Sequence, residues 1–259
     1  MELNTLLYEK EENTGIITLN RPKSMNGIND EMMIELSALL DKIAADDEVK
    51  AVIISGGSKV FAAGGDIEYM IKASSLQAEA FVALVHQAFD KIVNLEKPVI
   101  AAIANLALGG GCELALACDI RIASEGSKFG QPEINLGVTP GAGGTQRLSR
   151  IVGPGWARYL IMTGDSVDTD TAFKIGLVNM VVPLEDLMAE AKKMAKSLAS
   201  KSVLAMKTAK KCLNYGDNVD LLSGLKFEQK SWAFLFSTED QKEGMNAFLE
   251  KRKPEFKGK

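Results

Sequence analysis

The sequence predicts an α/β protein with a mostly parallel sheet, closed by an all-helical C-terminal region. Three observations predict it. Short apolar runs and helical patterns alternate from Leu6 to Val182, the order that builds a parallel sheet covered by helices. Two of the runs, Ala51–Ser55 and Pro98–Ile103, are almost continuously apolar, as strands buried on both faces are. After Pro183 the strand signal stops and only helical patterns follow.

In chain order, Leu6–Glu9 and Gly15–Asn20 read as strands joined by the polar turn Lys10–Thr14, and Asn20-Arg21-Pro22 stops the second. Asp30 and Glu31 open an amphipathic helix with Met33, Leu36, Leu40 and Ile43 along one side; acidic residues suit the positive end of a helix. Gly56-Gly57 ends the strand Ala51–Ser55, and Phe61-Ala62-Ala63-Gly64-Gly65-Asp66-Ile67 reads as a loop of small residues that lets backbone approach something closely. A helix is predicted over Ser75–Val93, then the strand Pro98–Ile103. A buried strand at Leu106 runs into Gly109-Gly110-Gly111, followed by a helix over Cys112–Ala117, a strand over Ile120–Ala123 and a helix from Gly155 to Thr163. Asp168–Lys174 reads as a short helix with Gly176 near its C-terminal cap, and Val178–Val182 as the last strand. Helices are predicted over Leu184–Ser200, Val203–Asn214, Leu221–Phe236 and Glu239–Lys251, the last opened by a Thr238/Gln241 capping signature. Leu221, Leu222, Leu225, Phe227, Trp232, Phe234 and Phe236 give this tail more apolar surface than it hides by itself. Packing on a neighbouring subunit and packing back on its own domain both fit.

With 259 residues, 46% of them hydrophobic, the chain suffices for one large domain or a domain with an appendage. A formal charge of −4 carries no footprint for nucleic acid or an anionic membrane. Cys112, Cys118 and Cys212 have no metal-ligand spacing and read as reduced core cysteines. The N-terminus lacks a signal pattern, and no apolar run approaches the ~18 residues of a membrane span. A soluble, cytoplasmic protein is expected, with no metal.

The single histidine, His86, falls in a helix apart from the glycine-rich stretches, which disfavours Ser–His–Asp catalysis and histidine-rich metal sites. Neither glycine cluster matches a phosphate-binding fingerprint. The carboxylates remain. Glu113 lies in the apolar run Cys112–Cys118, and Glu133 among Phe129, Pro132, Ile134 and Leu136, beside Gln131. An unpaired buried charge is expensive, so each has a partner, faces a cavity or holds its proton more tightly. Two readings fit: an acid/base pair, or carboxylates that cap helices or pair with an arginine such as Arg121 or Arg147. Gly110 precedes a helix, so its N–H is free and aligned with the helix dipole, and Gly65 is placed to supply a second. Two such donors aimed at one point form an oxyanion hole; tight turns account for the same glycines equally well.

Asn20-Arg21-Pro22, Phe61–Ile67, Pro98–Asp119, Gly130–Leu148 and the closing run from Thr238 to Pro254 together resemble the crotonase superfamily, and most closely its enoyl-CoA hydratases, since both glutamates are present. The resemblance implies a spiral of repeated ββα units over residues 1–200 and a helical oligomerisation region over 201–259, assembled as a trimer or a dimer of trimers. It implies an acyl-CoA thioester whose carbonyl oxygen lies between the N–H groups of Gly65 and Gly110, with coenzyme A part of the substrate and no cofactor. Glu113 would direct water to C3 and Glu133 would deliver a proton to C2. Coenzyme A would be met by Ala63, Asp66, Ile67 and Glu68, and by Trp232 and Lys251 reaching from a neighbouring subunit.

Three positions depart from the usual family pattern. Ala104-Asn105-Leu106 replaces Asn-Gly-aromatic, Gly65 stands where alanine is usual, and Asn26-Gly27 replaces Asn-Ala. Each bears on pocket shape. A hydratase of cyclic or dienoyl-CoA, an enoyl-CoA isomerase, and a non-catalytic binding protein on the same fold, RNA-binding relatives included, are the alternatives.

Overall fold

The apolar runs become the strands of two sheets in a computed structural model describing residues 3–259. In chain order the elements are β1 (Leu6–Glu11), β2 (Thr14–Leu19), α1 (Asp30–Ala45), β3 (Ala51–Ser55), α2 (Ile67–Met70), α3 (Ser75–Asn94), β4 (Val99–Ile103), β5 (Leu106–Leu108) and α4 (Gly110–Ala117). There follow β6 (Ile120–Ser124), β7 (Lys128–Gly130), α5 (Gly144–Thr163), β8 (Ser166–Asp168), α6 (Thr169–Lys174), β9 (Met180–Val182), α7 (Leu187–Ala199), α8 (Val203–Gly216), α9 (Leu221–Leu235) and α10 (Glu239–Leu249). The large sheet runs β1-β2-β3-β4-β6-β9 and is parallel except for the β1–β2 hairpin; the small sheet runs β5-β7-β8.

The two sheets are filled alternately. β4 lies in the large sheet and β5 in the small one before α4; β6 and β7 repeat the pattern before α5. After β3, Ala62 bridges Ala107 of β5, so the chain visits the small-sheet side there too. Every residue of β3 and β4 is buried, because both faces of the sheet are covered. On one face lie α1, α3 and α4; on the other, α7 brings Leu187, Ala191 and Ala195 against Ile16, Ile53, Ile100 and Ile122. Small side chains four residues apart let that helix approach closely.

The structure differs from the sequence reading mainly in short or glycine-rich segments. β7, β8 and α2 are too short for periodicity to reveal. The Phe61–Ile67 segment is a loop only as far as Asp66, whose carboxylate caps α2 by accepting from the Tyr69 N–H. The helix predicted from Gly155 begins at Gly144 instead, broken at Gly153 (φ 78°, ψ 161°) before Pro154. Its glycine-rich entrance reads as a turn, yet Leu148 inside it is fully buried.

The C-terminal region joins the body through α8. Lys210 Nζ donates to Asp119 Oδ2 at 2.7 Å and to the carbonyls of Ile92 and Lys97, while Asp119 also accepts from the Val99 N–H at 2.7 Å. The next helix, α9, has no buried residue; it packs mainly on α8, with Tyr215 and Phe227 rings 4.4 Å apart. Leu221, Leu222, Trp232 and Phe234 stay more than half exposed, so this face is not covered by its own domain. Replacing Lys210 by methionine keeps the stem but leaves Asp119 without its cation. We expect a loss of about 2–3 kcal/mol in urea-unfolding stability.

Candidate active site

Gly65 and Gly110 meet because the segment after β3 is laced along β5. Phe61 N–H donates to Ala104 O (2.9 Å), Ala62 N–H to Leu106 O (3.1 Å) and Leu108 N–H to Ala62 O (3.1 Å). Ile28 then pairs with Gly65 as in a parallel bridge, its N–H donating to Gly64 O and its carbonyl accepting from Asp66 N–H. Those bonds use the groups on either side of Gly65, so its own N–H points the other way. Arg21 fixes this arrangement, with one guanidinium nitrogen 2.8 Å from Asp66 and another on the Gly27 carbonyl.

The three consecutive glycines each answer a different demand. Gly109 has φ 51° and ψ −126°, a conformation closed to side chains with a Cβ, and its N–H donates to Gly130 O. A Cβ on Gly110 would stand 3.6 Å from the Gly65 nitrogen, which brings the two loops together. On Gly111 it would fall 2.1 Å from Ala62 O. Neither Gly65 nor Gly110 N–H has an acceptor among the described residues. The latter opens α4 and carries the positive end of that helix.

Glu113, one turn into α4, is 3% exposed. Its Oε1 accepts from the Ala142 and Gly144 N–H groups, both at 2.7 Å, and Oε2 bonds to no described residue. Burial pushes its carboxyl upward, opposed by those two N–H groups and by the charges of His86 and Arg147. Glu133 is the second residue of the 3-10 turn Pro132–Leu136. Its Oε1 lies 2.9 Å from where a Cβ on Gly109 would be. Burial, with the Glu113 charge adding to it, pushes the Glu133 carboxyl up to about 7.

The arginine-pairing reading fails for both glutamates. Arg121 donates to the carbonyls of Leu177 and Cys118, and Arg147 to Ala142 O and Asp90. Glu35 shows how this chain treats a buried structural carboxylate: both oxygens accept, from the Asn4 and Thr5 N–H groups and the Thr5 hydroxyl. Glu113 has one oxygen spare. Cys112, beside it, is pushed up to about 12 by burial and the two nearby glutamates and stays a protonated core side chain.

Gln131 is a site residue whose role the sequence left unassigned. Fully buried, its amide NH2 lies 3.0 and 3.2 Å from the Glu133 oxygens when oriented to donate to them. A Cβ on Gly144 would lie 2.9 Å from both the Gln131 amide and Glu113 Oε1, so this amide stands between the carboxylates. The Ala142 and Gly144 N–H groups were also missed, since backbone donors leave no mark in side-chain chemistry. His86, on α3, favours the ionised form of Glu113 when it is protonated.

Ala63, Ile67 and Glu68 lie on the same loop and α2, while the Asp66 carboxylate is occupied by Arg21 and the Tyr69 N–H. Trp232, on α9, packs at a tilt against Phe236 with ring centroids 4.5 Å apart, and Lys251 follows α10 with φ 54°. No hydrogen bond ties either of these two to the glutamates or glycines of the described chain. No group of three or more His, Cys, Asp and Glu side chains converges as metal ligands among the described residues, and none of the described helices is long and apolar enough to cross a membrane.

The family profile described as enoyl-CoA hydratase/isomerase matches residues 9–259. A short-chain-enoyl-CoA hydratase of Clostridium acetobutylicum is 47% identical over 256 residues, covering 98% of each chain. A crotonyl-CoA hydratase of Syntrophomonas wolfei is 47% identical over 257 residues, covering 99% of each. The crystal structure of an enoyl-CoA hydratase from Bacillus anthracis superposes with a TM-score of 0.95 at 37% identity, covering 99% of this chain and all of that one.

The unequal environments of the two carboxylates are open to direct titration. An isotope-edited infrared titration is expected to find Glu133 half-protonated near pH 7. Replacing Glu113 by glutamine removes the like charge and lowers that midpoint. Folded Glu133 holds its proton above the ordinary carboxylate value of 4.5. The folded state therefore binds more protons than the unfolded one between 4.5 and about 7, and this residue's contribution to stability falls as pH rises through that window.

Proposed function

The chain belongs to the enoyl-CoA hydratase/isomerase family, and from that premise we propose that it reversibly adds water across the 2,3 double bond of a short-chain 2-enoyl-CoA thioester. One observation carries the reading: a buried glutamate and a half-buried one, with different surroundings, converge beside two backbone N–H groups that no acceptor among the described residues uses. The thioester oxygen accepts from Gly65 and Gly110. As water adds to C3, charge moves onto that oxygen, where each fixed donor contributes about 3–4 kcal/mol of transition-state stabilisation.

Glu113 is the base. Its Oε1 is held by two N–H groups that favour the ionised form, leaving Oε2 to orient water and take its proton. Glu133, pushed up to about 7, is the acid that delivers a proton to C2 as the oxyanion returns its charge to the carbonyl. Water's oxygen ends on C3 and a hydrogen on C2, and proton exchange between the carboxyls and solvent resets the pair. No cofactor takes part; coenzyme A belongs to the substrate.

Ala63, Ile67, Glu68 and the backbone of Asp66 meet coenzyme A. Trp232 and Lys251 serve a neighbouring subunit, in a trimer or dimer of trimers built through residues 201–259. The uncovered apolar face of α9 supports this assembly.

Crotonyl-CoA mixed with the purified protein is expected to lose its enoyl-thioester absorbance. Glu113→Gln and Glu133→Gln should each lower kcat by roughly 100- to 10,000-fold. Wild-type rates in both variants would reject the assignment. Sedimentation should report an assembly larger than one chain, and Leu222→Asp should shift it toward smaller species with helix content kept. An unshifted Leu222→Asp would remove α9 from the interface.

A further inference from the structure

We propose that Arg147, steadied by Asp90, is a positioning residue for Glu113, holding the backbone from Ala142 to Gly144 so that two N–H groups stay aimed at one carboxylate oxygen. The proposal deepens the hydratase reading and rests on it. Arg147 Nη1 donates to Ala142 O at 2.9 Å, and Nη2 to Asp90 Oδ1 at 2.9 Å. Ala142 O belongs to the peptide plane between the two planes whose N–H groups bond Glu113. Holding the middle plane leaves its neighbours only the φ and ψ rotations at Ala142 and Gly143 to move by, so it restrains both N–H groups together.

Two further observations show that the segment is built around this guanidinium. Gly143 has φ 108°, and a Cβ there would stand 2.2 Å from Arg147 Nη1, so the guanidinium passes where only a glycine leaves room. Helix α3 supports the loop along one side, through Val82 and Asp90, eight residues apart. Val82 lies 3.4 Å from the Cβ position of Gly141 at one end, and Asp90 holds Arg147 at the other. The Asp90 side chain is 60% exposed, so the ion pair is weak in itself; it gives the guanidinium its direction.

Charge offers a second readout. The titratable and charged groups facing Glu113 are His86 from α3, Arg147 from α5 and Glu133 from the 3-10 turn. Arg147 favours the ionised carboxylate, so a neutral replacement raises the pH at which Glu113 loses its proton. The acidic limb of the kcat/KM profile then moves to higher pH.

The test compares wild type, Arg147→Gln, Arg147→Lys and Asp90→Asn on crotonyl-CoA, with amide hydrogen exchange at Ala142 and Gly144 measured without substrate. Arg147→Gln is expected to lower kcat on the order of 10- to 100-fold, the scale of a displaced catalytic group, with KM little moved. It should also shift the acidic limb upward and speed exchange at both amides. Arg147→Lys should recover part of the rate and the limb, and Asp90→Asn should fall between. Wild-type kcat, limb and exchange in Arg147→Gln would overturn the proposal. A wild-type protein inert toward crotonyl-CoA would overturn the hydratase reading instead, and the exchange comparison would still decide the clamp. Should Arg147→Gln not fold, Asp90→Asn carries the same readouts, and wild-type values in that variant would overturn the proposal equally.

Discussion

A carboxylate taken out of water must find donors or keep its proton, and the arrangement around Glu113 follows from that constraint. The side chain is carried inward on α4, where all its neighbours from Gly111 to Ala117 are buried. No cation of the described chain bonds it. The two donors come from backbone, which requires the 140s segment to be shaped for the purpose. Its glycines are the consequence: Gly143 leaves space for Arg147, and Gly144 leaves space for Gln131 and for Glu113 itself. Both fixed N–H groups solvate one oxygen, so the other is left without a donor among the described residues.

The spiral supplies the second half of the site. Alternation between the large and small sheets repeatedly brings the end of a strand beside the start of the next segment, so Gly65 and Gly110 become neighbours although forty-five positions apart in sequence. The Phe61–Asp66 segment cannot hold the Gly65 N–H outward unaided. It borrows Ile28 on one side and β5 on the other, with Arg21 tying Asp66 down. Backbone geometry here is set by ordinary ladder bonds, which are numerous and easily aligned, rather than by strained residues.

Much of this was legible in the sequence wherever a pattern ran long enough. β3 and β4 announce themselves by continuous burial, α1 and α3 by helical spacing, and the Glu113 and Glu133 positions by a charge in an apolar run. What stayed hidden was short or main-chain. Three-residue strands have no periodicity, and the start of α5 was masked by glycines whose reason is contact with Arg147 and Glu113 rather than a turn. His86 reads as remote because it lies within α3, with β4 and β5 between it and the glycines of α4 along the chain; across space, α3 reaches the loop that holds Glu113, Val82 lying against Gly141.

The two glutamates also differ in a way that composition alone could not predict. Both lie in apolar surroundings, yet Glu113 receives two backbone donors from another segment and the Arg147 charge, while Glu133 receives its own backbone N–H, one neutral amide and a like charge. Burial pushes both upward; only at Glu113 do fixed donors from another segment push back. Equal carboxylates thereby become unequal ones: burial raises both, and the donors on Glu113 oppose that rise where the like charge beside Glu133 adds to it. The acid and base roles proposed for the pair require that asymmetry, and its source is where the backbone points its N–H groups.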